Sequence, residues 1–109
     1  MAKKINNAVD EYKEIFGKLH KLQHKGADNL VMLLTRHIKG KAEYKESYIE
    51  LVAERAGVSP TGRITTTNRD IMFYVVKAMV EIDKGITPSD KDINEAWRLF
   101  IEDYRNHKI

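Results

Sequence analysis

Residues Asp70 to Asp83 read DIMFYVVKAMVEID, and between Ile71 and Ile82 only Lys77 and Glu81 are polar. A segment apolar on nearly every side is either the central helix of a small bundle or a buried strand. Lys77 and Glu81 stand four apart on one helical face, which Asp70 and Lys84 extend. That spacing predicts a helix, over about 68–84, with a single wet stripe. The run falls well short of the ~20 apolar residues that a membrane span needs. The rest of the chain has to cover this helix.

Four further helices are readable around it. In the first, about 5–25, apolar residues fall at Ile5, Val9, Tyr12, Phe16, Leu19 and Leu22, in alternating steps of four and three. That is one stripe of an α-helix, and Gly26 is its natural stop. Asp28 is positioned to cap a second helix, 28–39, with Leu30, Val31, Leu33, Leu34 and Ile38 as its core contribution and Gly40 at its end. A third, about 42–56, buries Tyr44, Tyr48, Ile49, Val52 and Ala56, and Gly57 suits its C′ position. Its opposite side is an acidic stripe of Glu43, Glu46, Glu50 and Glu54. The last helix follows Thr87, Pro88 and Asp90, a capping-box pattern with proline in the first turn. It carries Ile93, Ala96, Trp97, Phe100, Ile101 and Tyr104 on one face and frays over 105–109. Between the third helix and the central one lies VSPTGRITTTN, residues 58–68, punctuated by Pro60 and Gly62. Its three threonines favour a structured loop ending in a cap at Thr67 or Asn68. The expected fold is all-α: one domain, 1–109, a bundle of about five helices around the central one.

Composition narrows the function classes. An apolar share of 42% and a charged share of 32% belong to an ordinary folded domain, not a disordered one. With no cysteine there is no disulfide, thiolate metal site or cysteine nucleophile. The first residues, MAKKINNAVDEY, lack the apolar run of a secretory signal, so the expected location is cytoplasmic. Charge is unevenly spread. Residues 1–45 carry ten Lys/Arg against five Asp/Glu, or +5, and residues 46–109 nine against eleven, or −2. The basic half, with Lys18, Lys21, Lys25, Arg36, Lys39 and Lys41, suits nucleic acid or another acidic surface, although a solvated lysine-rich face has the same composition.

Catalytic and metal patterns are weak. His20 and His24 share a helical face, as in some zinc sites, but Lys18, Lys21 and Lys25 crowd them, and no Glu follows His20 as HExxH requires. The carboxylate pairs Asp10/Glu14 and Glu50/Glu54 fall on exposed faces, not in a cleft suited to acid–base work. No serine has a nucleophile-elbow context and no glycine-rich phosphate loop is present. The expectation is a non-enzymatic protein without metal or cofactor.

Residues 51–59, LVAERAGVS, resemble the first helix and turn of the helix-turn-helix in TetR-type and LacI-type regulators. Val52 and Ala56 supply core contacts, Ala53 is small enough for close packing, Gly57 takes the turn, and Ser59 with Pro60 could open a following helix. The resemblance implies that residues 60 to about 69 enter a major groove, with Thr61, Arg63, Thr66 and Arg69 as base or phosphate contacts. The residues themselves favour a loop there, because a recognition helix would need an apolar anchor at Arg63, and Gly62 and Thr65 to Thr67 are poor helix formers. A fainter resemblance, to phage anti-sigma factors of the AsiA type, rests on Gly57-Val58, Gly62-Arg63, Asn68, Glu95, Glu102, Tyr104 and Asn106. It implies an all-α protein whose helix-turn-helix-like hairpin binds a protein.

Two functions follow as expectations: a nucleic-acid-binding regulator, or a protein-binding inhibitor or adaptor working through charged helix faces. Ten apolar residues in the twelve from Ile71 to Ile82 also raise a homodimer, in which part of that helix is covered by a second copy.

Overall fold

The structure, a computed structural model, describes residues 8–39 and 46–107. Five helices follow in order: α1 (Ala8–His24), α2 (Leu30–His37), α3 (Glu46–Ala56), α4 (Arg69–Lys84) and α5 (Asp90–Arg105). No strand occurs among the described residues. Ile5, Gly40, Tyr44 and the expected start of the third helix lie outside them, as do the side chains of Glu43 and Glu46.

The central helix is α4. Met72, Phe73, Val75, Val76, Ala78, Met79 and Val80 are all buried. Asn68 caps its start by accepting the Asp70 N–H at 3.0 Å. Gly85 ends it in a left-handed turn (φ 70), a conformation open to a residue without Cβ. The wet stripe is present and carries ion pairs to three neighbouring segments. Lys77 meets Asp90 at 2.8 Å, Glu81 meets Arg55 at 3.4 Å, and Lys84 meets Glu11 at 2.6 Å. Tyr74, half exposed, belongs to the same stripe. Of the ten apolar residues from Ile71 to Ile82, one chain buries seven, partly covers Ile71 and Ile82, and leaves Tyr74 half exposed.

α1 and α5 form the most extensive interface. Phe16 packs on Trp97 and Phe100, with ring centroids 5.2 and 5.8 Å away, and one turn later His20 meets Phe100 and Tyr104. The two helices therefore run in the same direction and end side by side. α4 runs the other way, which brings Lys84 to the start of α1 and Lys77 to the first residue of α5.

Some helix starts fall one or two residues later than the sequence suggested. Asn29, not Asp28, caps α2, accepting the Met32 N–H at 2.9 Å. The Asp28 carbonyl instead accepts the N–H of Ile64 at 2.7 Å, which ties this turn to the long loop. Ser89, not Thr87, caps α5. Pro88 is buried just ahead of that cap, outside the first turn. Val31, expected in the core, is exposed.

Residues 58–68 form a loop of turns containing no α-helix. It lies along the α1–α2 turn: Val31 N–H donates to the Pro60 carbonyl, Arg63 makes a single antiparallel bridge with Asn29, and Ile64 is buried. Gly57, with φ 74, turns the chain out of α3 into it.

Candidate functional site

The C-terminal half of α1, the loop and the end of α5 meet at one end of the bundle, around Thr66. That side chain is fully buried. Its N–H donates to Gln23 Oε1 at 2.9 Å and its hydroxyl donates to the same oxygen. A hydroxyl has one hydrogen, so Thr66 Oγ1 must accept from His20 Nδ1, 2.9 Å away. This assignment puts the proton of neutral His20 on Nδ1 and leaves Nε2 as the nitrogen that titrates. Burial, then the neighbouring His24, holds His20 below the usual imidazole range.

The loop cannot use Thr66 as an outward contact. Its hydroxyl is the hub that fixes the loop to α1, which corrects its expected place among base- or phosphate-contacting residues. Arg69 is likewise engaged: its guanidinium bonds Asn94 Oδ1, lies 5.0 Å from the Phe73 ring centroid and is 4.0 Å from Asp70. Thr61 and Arg63 are exposed, but on a loop, not on a helix able to enter a groove. Lys41 lies outside the described residues.

Above the hub is an open-mouthed groove of about 500 Å³, lined by His20, Lys21, His24, Lys25, Tyr104, Arg105 and His107. No carboxylate lines it. Tyr104 was expected on the apolar face of α5, yet it is 42% exposed, because the last turn of α5 extends past the buried layer that ends at Phe100. Its ring meets His20 edge to face at 5.0 Å, which fixes its plane. His107 closes the rim with a left-handed backbone (φ 60), in the C′ position where glycine is usual.

Of the nine described Lys and Arg away from this end, six form ion pairs and Arg36, Lys39 and Lys91 do not, whereas none of the five at this end does. Elsewhere Lys13 is matched to Asp103 and Arg98 to Glu95, alongside the three pairs along α4. Lys18, Lys21, Lys25, Arg63 and Arg105 are exposed and form no ion pair among the described residues. The segments that carry them, 18–28, 60–67 and 104–107, contain one carboxylate, Asp28. Arg36 and Lys39, exposed near the end of α2, are also outside any ion pair among the described residues, but they are not part of the groove. A helix C-terminus favours cations through its dipole, so two adjacent ends already account for some of this charge.

His20 and His24 have ring centroids 6.4 Å apart, with Nδ1 of His20 committed to Thr66. No group of three or more residues able to hold a metal gathers among the described residues, and no helix there is long and apolar enough to cross a membrane. Of the groove's members, sequence reasoning nominated Lys21 and Lys25 and missed Tyr104, Arg105 and His107. The available signal was position: all three come at or after the last turn of an amphipathic helix, beyond its final buried residue. Comparison with protein-family models, curated proteins and solved structures finds no match.

Proposed function

We propose that the protein is a non-enzymatic regulatory binding module that engages nucleic acid through the basic end formed by α1, the 58–68 loop and α5. The observation that supports this reading is the cluster of five exposed cations, Lys18, Lys21, Lys25, Arg63 and Arg105, none of them in an ion pair among the described residues, where six of the nine other described cations are paired. Unneutralised cations on a surface held rigid from beneath are what phosphate contact requires, and such contacts supply most non-specific affinity. The loop offers no helix for major-groove reading, so binding is expected to be weakly sequence-dependent.

The test compares charge reversals by mobility shift at low salt. Lys21→Glu alone strongly weakens binding, whereas Lys91→Glu, the same charge change at an exposed cation at the far end of α5, leaves it nearly intact. Equal losses from both would reduce the effect to net charge and remove the site.

A protein partner is the second reading, favoured by the exposed surface of α3, where Leu51 stands beside Glu50 and Glu54. An apolar residue flanked by acids suits a basic protein surface. A partner captured from lysate after nuclease treatment, and lost with Leu51→Asp, would give this reading the weight.

A further inference from the structure

The groove has a feature that the surrounding cations lack: an aromatic face. Tyr104 stands 42% exposed between Lys21, Lys25 and Arg105, and His20 packed edgewise against it fixes the ring. Cations alone serve any phosphate backbone, but an accessible aromatic among them adds a surface on which a base can stack. A base within a duplex has both faces occupied by its neighbours. An unpaired base does not.

Shape points the same way. The site is concave, while duplex grooves are read by a projecting helix or ribbon. The segment where such a helix would be needed, 58–68, is instead laid flat against the α1–α2 turn by the Ile64–Asp28 and Val31–Pro60 hydrogen bonds. Its volume of about 500 Å³ lies within the roughly 300–1,000 Å³ of sites that enclose small ligands. The His20–Thr66–Gln23 hub holds His20, and His20 packs on Tyr104, so the ring is positioned before anything binds.

Resting on the reading above, we propose that this groove takes a single nucleic-acid strand, with a base stacked on Tyr104 and its phosphates on Lys21, Lys25 and Arg105. The strand passes from the end of α5 toward Arg63, whose exposed side chain lies on the loop that the hub anchors. Contacts of this kind follow the backbone and the ring faces, so they are indifferent to sequence.

The experiment measures anisotropy of labelled oligothymidine of about twelve nucleotides, within the ~4–16 that small single-strand sites cover. A duplex of the same length is measured in parallel at about 50 mM salt. The expected result is tighter binding of the single strand, by about tenfold. Tyr104→Ala loses about tenfold for the single strand and little for the duplex, and Tyr104→Phe retains the ring and the affinity. Lys21→Gln with Lys25→Gln, which leaves the aromatic packing untouched, flattens the salt dependence by about 0.7 for each lost phosphate contact. Circular dichroism of each variant establishes that it is folded. Equal binding of both oligonucleotides, unaffected by Tyr104→Ala, would overturn the single-strand assignment while leaving nucleic-acid binding in place. Failure of both to bind at low salt would remove the assignment together with the reading beneath it.

Discussion

Thr66 shows how one buried hydroxyl can organise a surface. It joins His20 and Gln23, 46 and 43 residues distant, and so fixes an otherwise irregular loop to α1. Thr66→Val preserves shape but strands the Nδ1–H of His20 and leaves Gln23 Oε1 one donor short. Buried groups stranded in this way cost about 1–3 kcal/mol, which urea unfolding would register as a lower midpoint at unchanged slope. The imidazole carries its own pH signature. Because His20 is held below its usual range, the folded state binds its proton less readily than the unfolded chain does. Stability is therefore full above the unfolded value of about 6.5 and declines as pH falls through it toward the folded value. Burial is the larger cause and the neighbouring His24 the second, and the other groups lining the groove include no carboxylate to oppose them. His20→Asn, which keeps a donor and does not titrate, should flatten the decline between about pH 7 and 5. An unchanged slope would contradict this account of His20. None of this was readable in advance. A threonine in a polar loop looks like a surface residue until the fold brings its partners to it.

At the scale of elements, α4 was the most readable part of the chain, since a long apolar run broken only at helical spacing admits few other conformations. Its two faces make opposite predictions. Met79→Ala, in the fully buried row, costs about 2–5 kcal/mol, whereas Tyr74→Ala on the wet stripe changes stability by about 0.5 kcal/mol or less. Thermal or urea unfolding of the pair checks which face is inside. Helix ends were less readable, for identifiable reasons. Asp28 and Asn29 are both good caps, and the choice falls to Asn29 once the Asp28 carbonyl takes the Ile64 N–H, a contact with a segment 36 residues away. Thr87 and Ser89 compete in the same manner, and burial of Pro88 moves the start to the second. At the other end of α5, His107 occupies a left-handed position that a Cβ disfavours by about 1 kcal/mol. His107→Gly should therefore raise stability while weakening groove binding, a combination expected of a residue retained for its side chain. Lower stability in that variant would mean that the ring, not the ligand, holds the turn.

For the molecule as a whole, the sequence showed a basic half and an acidic half but not where their charges meet. Folding pairs Lys13, Arg55, Arg69, Lys77, Lys84 and Arg98 with carboxylates and leaves Lys18, Lys21, Lys25, Arg63 and Arg105 at the basic end, with Arg36, Lys39 and Lys91 elsewhere, without one among the described residues. A count of charges cannot separate these sets, because pairing depends on which helix ends adjoin. The LVAERAGVS turn illustrates a related limit: α3, Gly57 and the loop after it take the forms the residues favour, while the docking of that loop on the α1–α2 turn was not legible. The direct test of the basic end as a nucleic-acid site is the affinity for nucleic acid measured across salt, in the intact chain and in the Lys21→Glu, Lys25→Glu, Arg63→Glu variant. Binding through the basic end gives a steep linear fall of log affinity with log salt, with a slope near that of three to five phosphate contacts, and a shallow one or none in the variant. Affinity insensitive to salt, or identical in the two proteins, would contradict it.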